Sequence, residues 1–379
     1  MSDMRYMEAA SRLNLFTLGD GAGLVYWQPA GMRLYSALQA YILKVHQEHG
    51  YTQVRTPSLA PVSLFERSGH LARYLENMFL ANTDPEAGEI ASNGYVLRPM
   101  SCPNHIQLYA AAQRSYRELP MALFEFGEVF RNEPSGSLQT LFRMRQFCQD
   151  DSHVFVTPDG LVEALAKYLG MARQVYTDLG FEKVNYAISL RPERRFGSDA
   201  QWDAAEEALR QSCRAQGIEW QELPGEGAFY GPKIELQVTD KLGRGWQLGT
   251  MQLDYVLPER FDLEYRTSAG DMARPVLLHH AVLGSLERFI GILLETYGVN
   301  LPDWLHPYPA VVVPVSDKVQ DFAQRVATHM GCQLDTSDEP LGAKLRHWRQ
   351  LGTPAIHVVG AKEEEHWRTT GELMASSGR

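Results

Sequence analysis

The feature that most limits what this chain can fold into is a pair of strand-like runs around a turn-rich loop. Ala122-Leu-Phe-Glu-Phe-Gly-Glu-Val-Phe-Arg131 is the first run, and Arg143-Met-Arg-Gln-Phe-Cys-Gln-Asp-Asp-Ser-His153 is the second. Between them lies Asn132-Glu-Pro-Ser-Gly-Ser-Leu-Gln-Thr140, rich in turn formers. Together they predict a β-hairpin. Alternate side chains of a strand share a face. Arg143, Arg145, Phe147, Gln149, Asp151 and His153 therefore line one face, with Arg131 and Glu133 at its lip. Such a face makes a poor core and a good wall for a charged, aromatic ligand. An edge strand with one solvated face is the plainer explanation of the second run taken alone. An aromatic plate flanked by three arginines suits a nucleotide, whose ring stacks on Phe147 while its phosphates meet guanidinium forks.

Strands recur along the chain with helices between them. Residues 29–49 carry Leu34, Leu38, Ile42 and Val45 at helical spacing, and Gly50–Pro57 follows as a strand closed by proline. Thr157-Pro-Asp starts a helix whose apolar stripe of Leu161, Leu165, Leu169, Ala172 and Leu179 runs to Gly180. Strands are expected over 184–191, around Ile234, Leu236 and Val238, and over 246–255, where Gly249 marks a bulge. Helices are expected over 199–216 and 281–297. This succession predicts an α+β fold with an antiparallel sheet. His306-Pro-Tyr-Pro309 is a joint, so domains are expected at 1–305 and 306–379. Beyond the joint, apolar strands at 310–315 and 354–360 flank a helix at 321–329, in β-α-β order.

The formal net charge is −10, so no global positive field draws in nucleic acid, although a local basic patch can still bind it. Four scattered cysteines argue against a disulfide framework and for a reducing compartment. The first residues lack the apolar stretch of a signal peptide, and no run is long enough to span a bilayer. A soluble, cytoplasmic protein with no membrane partner is expected.

Four separate strings carry a resemblance. Phe130-Arg131-Asn-Glu133, its loop and the return strand resemble motif 2 of class II aminoacyl-tRNA synthetases. Arg131-Asn-Glu-Pro-Ser-Gly-Ser-Leu138 with Gln149-Asp-Asp151-Ser-His153 is similar to the threonyl-tRNA synthetase version. Arg98-Pro-Met-Ser-Cys102-Pro-Asn-His105, Gly225-Glu-Gly-Ala-Phe-Tyr230-Gly-Pro-Lys233 and His279-His-Ala-Val-Leu-Gly284-Ser-Leu-Glu-Arg288 agree, the last holding the motif 3 arginine. The unit at 29–57 resembles motif 1, which forms the dimer interface in that family, so a homodimer is implied; by periodicity it is an ordinary amphipathic helix on a sheet.

The resemblance implies the chemistry. Cys102, His153 and His279 give no metal signal by spacing, and a lone Cys or His is usually core. They fall on the family's zinc (Zn2+) positions, where threonine's amine and hydroxyl complete the shell and valine, lacking the oxygen, cannot chelate. His280 faces away from His279 on an extended run, and the distance to Gly284 and Arg288 selects His279. Asp151 is implied as acceptor of the substrate hydroxyl proton, with Gln149, Tyr230 and Gln252 as further substrate contacts. Arg131 holds the threonine carboxylate and the α-phosphate of ATP together, and Arg143 and Arg288 grip the β- and γ-phosphates. Glu133 reads the adenine amino group, Gln247, Thr250 and Gln252 line the floor, and Lys233 adds charge near the phosphates. Mg2+ accompanies the phosphates. No side-chain nucleophile is needed, because the threonine carboxylate attacks the α-phosphate directly.

Two departures bear on the acceptor. The motifs start near the amino terminus, where relatives carry domains that include a serine-removing one; serine is therefore expected to be adenylated and not corrected in cis. The carboxy-terminal region looks like a shortened anticodon-binding domain, with Ser337-Asp-Glu-Pro340 and an acidic Ala361-Lys-Glu-Glu-Glu-His366 where the family is basic. A threonine–tRNA ligase is implied. The alternatives are an adenylating enzyme that loads a carrier protein or small acceptor, and a non-catalytic regulatory module. Retention of Arg131, Arg143 and Arg288 disfavours the last.

Overall fold

The hairpin forms near the middle of a larger sheet. The computed structural model of the chain describes residues 5–81, 94–181, 183–239, 243–370 and 372. Among them, eight strands pair into one sheet: β1 (Thr52–Gln53), β2 (Met121–Phe130), β3 (Gln146–Val156), β4 (Val184–Ser189), β5 (Trp220–Leu223), β6 (Lys233–Thr239), β7 (Gly245–Asp254) and β8 (Val276–Ala281). Their lateral order is β5-β4-β6-β7-β8-β3-β2-β1. Neighbours from β4 to β2 run antiparallel, and only the edges β5 and β1 pair parallel. With helices interspersed, this is the α+β architecture expected.

β2 and β3 register Val129 with Phe147, Glu125 with Asp151, and Leu123 with His153. The second run starts as a strand only at Gln146, three residues later than its alternation suggests. Arg143 instead bridges back to Gln139, and buried Leu141 and Met144 pin the loop. Arg145 donates to the Glu133 carbonyl at 3.1 and 3.2 Å and to Ser135 Oγ at 3.1 Å, so it braces the loop from within. The strand after Gly50 is likewise short; its pairing continues only through Val54 N–H to Phe124 O at 2.8 Å before Pro57, which has no amide to donate.

The bulge expected at Gly249 is present. Thr250 pairs with Glu235 but Gln247 with Gln237, so β7 carries one extra residue there. That residue resets the alternation and brings Gln247, Thr250 and Gln252 to the same side. Gly249 is required by space: a Cβ would lie 2.5 Å from Tyr176 Oη and 2.9 Å from Tyr168 Oη.

Helices form where apolar stripes recur. α1 (Pro29–Glu48) buries Leu34, Leu38 and Ile42 completely. α2 (Cys102–Ala110) follows a proline-containing start, and α3 (Leu161–Asp178) follows a turn in which Gly160 N–H donates to Thr157 Oγ1 at 3.2 Å. α4 (Asp199–Ala215) begins with a Ser198–Gln201 capping box. The helix expected from residue 281 starts only at Leu286, as α5 (Leu286–Tyr297). Residues before it close β8 and then turn at Gly284, whose φ is +84°. Asp150 fixes this turn by accepting the N–H groups of Val282, Leu283 and Gly284 at 2.7, 2.9 and 3.1 Å.

The chain forms two compact units. One comprises Gly19–Leu24 and Gln39–Gly291, the other Met1–Leu18, Val25–Leu38 and Ile292–Arg379. In the latter, β9 (Ala310–Pro314), α6 (Gln320–Met330), β10 (Gln333–Leu334), α7 (Leu341–Gln350), β11 (Ala355–Val359) and α8 (Ala361–Thr370) make a parallel sheet ordered β10-β9-β11. Val312, Phe322, Val326 and Val359 are its core. The acidic run at 361–366 has a local cause: Glu363 and Glu364 sit in the first turn of α8, where negative charge complements the positive end of the helix dipole, and Glu363 accepts Gly360 N–H at 2.9 Å. Among the described residues, no helix is long and apolar enough to cross a membrane.

Candidate active site

The open face of β3 and its neighbours bounds a cavity of about 380 Å³, within the range of nucleotide-sized pockets. Arg131, Glu133, Arg143, Phe147, Gln247 and Arg288 line it, together with Gln149 and the Gly284 turn. The Arg131 guanidinium lies 5.1 Å from the Phe147 ring centre, and its Nε donates to Pro99 O at 3.3 Å. Glu133 is buried and accepts from Arg143 Nε at 3.0 Å and Nη2 at 2.8 Å. Arg288 is largely enclosed, burial lowers its pKa, and its Nε has no protein partner. A buried guanidinium N–H without an acceptor is costly; a phosphate oxygen in the cavity would satisfy it. The cavity therefore offers two phenylalanine rings (Phe142 and Phe147), three guanidinium groups and one carboxylate at its wall.

Deeper along β3 lies a second cluster. Cys102, His153 and His279 are all buried and offer ligand atoms within 4.8 Å of one another. Cys102 opens α2, and His153 and His279 are cross-strand partners on β3 and β8. Burial raises the Cys102 thiol well above its ordinary value and lowers His153 well below its own, because desolvation disfavours the charged form of each. The free donor atoms converge. His153 Nε2 and His279 Nδ1 have no hydrogen-bond partner, while the opposite nitrogens are engaged. His279 Nε2 donates to Asp254 Oδ2 at 2.9 Å, and Asp254 Oδ1 is fixed by the N–H groups of Val256 and Leu257 at 2.7 and 3.0 Å. One thiol and two oriented imidazoles fit a tetrahedral zinc ion with one side open.

Asp151, Tyr230 and Gln252 surround this cluster. Burial raises the Asp151 carboxyl above its ordinary value, and His105 nearby opposes the rise. Tyr230 donates to Gln252 Oε1 at 2.6 Å, its ring lies 5.2 Å from that of His279, and Gln252 is the cross-strand neighbour of His279. Thr250 sits two residues along β7 on the same side, opposite Ala281. Thr250 and Lys233, expected at the nucleotide, are not among the residues that line the cavity, and His280 falls outside the cluster. Lys233 pairs with Glu235 at 2.7 Å, two residues on along the same face of β6. His280 turns to the other side of the sheet, where its Nε2 meets Tyr51 Oη at 2.7 Å.

Several groups here were not singled out by sequence. His70 is fully buried beside Phe229 and Tyr230, its Nδ1 held by Ser68 at 2.7 Å and its Nε2 without a partner; burial lowers its pKa to about 4. Glu125, the cross-strand partner of Asp151, accepts from Thr56 N–H at 2.7 Å and Arg98 Nη1 at 2.5 Å. Burial alone would raise Glu125, but His105, Arg98 and Thr56 pull it down to about 2. No spacing rule joins Thr56, Arg98 and Glu125; the sheet does.

Residues 89–297 match the tRNA synthetase class II core domain (G, H, P, S and T), and residues 309–371 match an anticodon binding domain. Threonine–tRNA ligase of Gluconobacter oxydans (strain 621H) is 45% identical over 359 residues, covering 93% of this chain and 55% of that protein. The ligase of Alkalilimnicola ehrlichii is 44% identical with the same coverage. The chain thus spans about half the length of the curated relatives it matches. A crystal structure of the RNA binding domain of threonyl-tRNA synthetase from Cryptosporidium parvum Iowa II superposes with a TM-score of 0.88 at 37% identity, covering 95% of this chain and 90% of that one. With a matched core over 89–297 and this likeness along nearly its whole length, the chain belongs to the threonyl-tRNA synthetase group of the class II aminoacyl-tRNA synthetases.

Proposed function

We propose that this chain activates L-threonine with ATP and transfers it to tRNA, as a threonine–tRNA ligase. The observation that carries this is the adjacency of two sites on one sheet face: a nucleotide-sized cavity lined by Phe147 and three arginines, and a thiol–imidazole triad with unpartnered donor atoms. Phe147 stacks on adenine and Glu133 accepts from its amino group, with Gln247 and Thr250 beneath. Arg131 brings the two anions together, the threonine carboxylate and the α-phosphate. Arg143 and Arg288 neutralise the charge that develops on pyrophosphate, which Mg2+ accompanies. Zinc, when bound by Cys102, His153 and His279, supplies a Lewis acid for threonine's amine and hydroxyl. Asp151 accepts the hydroxyl proton, and Gln149, Tyr230 and Gln252 orient the amino acid. Lys233 contributes at longer range, from its pair with Glu235. The working form is a cytoplasmic homodimer through the 29–57 unit, and the functional division of the chain falls at 305/306.

The anticodon-binding match over 309–371 favours tRNA over a carrier protein as acceptor. Charging of total tRNA with labelled threonine tests this. Acid-precipitable threonyl-tRNA is expected. Threonine-dependent pyrophosphate exchange with no charging of any tRNA would instead support transfer to a carrier thiol.

A further inference from the structure

His153 does not stand alone behind its free nitrogen. Its Nδ1 lies 2.8 Å from His105 Nδ1, with the two rings edge to face. His105 is fully buried, and its Nε2 lies 3.6 Å from Glu125 Oε1, near it but just beyond hydrogen-bond distance. Glu125 is in turn clamped by Arg98 and Thr56. Between two facing nitrogens only one proton fits. Which ring supplies it decides whether His153 Nε2 is a lone pair or an N–H, because a neutral imidazole carries one proton.

We propose that Glu125 and His105 are positioning residues that fix the tautomer of His153 and so preform its metal-binding nitrogen. The Glu125 carboxylate draws the His105 proton to Nε2. His105 Nδ1 is then an acceptor and takes the His153 Nδ1–H. His153 Nε2 is left as a lone pair facing Cys102 and His279. Asp151 Oδ1, 3.8 Å from His153 Nδ1, favours the same arrangement. Asp254 does for His279 directly what Glu125 does for His153 through an intervening ring. The two histidines are thus oriented by carboxylates at different removes, and the longer chain ties the metal nitrogen to the Thr56 and Arg98 segments. This inference rests on the metal reading of the triad.

The first readout needs no variant and no metal. In zinc-free wild-type protein at neutral pH, 15N shifts of His153 are expected to show the proton on Nδ1; a proton on Nε2 overturns the relay. The second readout is zinc affinity, measured by competition with a chromophoric chelator. His105→Phe keeps the ring and removes the acceptor, and is expected to weaken zinc binding roughly 10- to 100-fold. His105→Asn keeps an acceptor oxygen near the Nδ1 position and is expected to restore most of the affinity. Glu125→Gln, whose amide can donate to His105, is expected to shift the His153 proton toward Nε2. Wild-type affinity in His105→Phe, or equal losses in Phe and Asn variants, would refute the relay. If wild-type protein takes up no zinc, the metal reading fails on its own, while the zinc-free 15N shifts still judge the tautomer chain.

Discussion

Gly249→Ala should destabilise the larger unit by more than its one added methyl suggests. The new Cβ would sit 2.5 Å from Tyr176 Oη and 2.9 Å from Tyr168 Oη, with Val282 O at 3.1 Å. Both tyrosines are fully buried and their hydroxyls are committed. Tyr176 donates to Val282 O at 2.6 Å and accepts Gly249 N–H at 2.8 Å, while Tyr168 donates to Ala281 O at 3.2 Å. Relief requires moving a hydroxyl off its partners or moving β7. Overpacking costs about 1–3 kcal/mol, and a buried donor or acceptor left unmade adds roughly 1–3 kcal/mol. A loss of about 2–6 kcal/mol is therefore expected from these two effects. Denaturant unfolding followed by tryptophan fluorescence reads it. Tyr176→Phe is the internal check, because it vacates the contested space. Gly249→Ala in that background should cost less than in the wild type, giving a favourable coupling on the order of 1–2 kcal/mol. A Gly249→Ala midpoint equal to wild type, or no rescue by Tyr176→Phe, would refute the steric account of the bulge.

Other perturbations address the site and its supports. Arg288→Gln should lower kcat/KM for ATP by about 100-fold, the usual loss for one fixed charge donor, with little change in melting because its Nε has no protein partner to lose; an unchanged kcat/KM would remove Arg288 from the phosphate site. His46, buried and stacked 4.0 Å from Phe124, has its pKa lowered to about 4 by burial. The unfolded chain then binds more protons below pH 6.5, so this contribution is complete above that pH and is lost as pH falls toward 4, on the order of 3 kcal/mol. His46→Phe should flatten stability against pH between 4.5 and 6 by up to about 1.4 kcal/mol per unit, and an unaltered slope in urea unfolding would exclude His46 as its source. Serine carries the same amine and hydroxyl pair as threonine, so serine-dependent pyrophosphate exchange should be measurable; a rate at background would show that the methyl, and not chelation alone, is read.

Much of the fold is legible in the chain because period-2 runs and turn residues are local signals. The hairpin, the bulge at Gly249 and the β-α-β order after His306 all follow from such signals. Boundaries are less legible where a buried loop mimics a strand. Arg143-Met-Arg145 alternates well, yet Leu141 and Met144 are buried as loop anchors and the ladder starts at Gln146. The helix starting at Leu286 is preceded by apolar Ala281-Val-Leu283, which reads as one more turn of helix until Asp150, distant in sequence, captures its amides. The site divides in the same way. Phe147, Gln149, Asp151 and His153 are one strand apart by two, so their shared face is visible. Cys102, His153 and His279 come from α2, β3 and β8, and no spacing rule joins them; only family likeness did. The relay through His105 and Glu125 exists only once β2 and β3 are in register.

The most direct trial of the central claim is ATP–pyrophosphate exchange by the purified chain with threonine, serine or valine, before and after chelation of zinc. Exchange is expected with threonine, absent with valine, lost on chelation and restored by added zinc. Threonine exchange that persists in zinc-free protein, or valine exchange matching that of threonine, would contradict an amino-acid pocket organised by Cys102, His153 and His279.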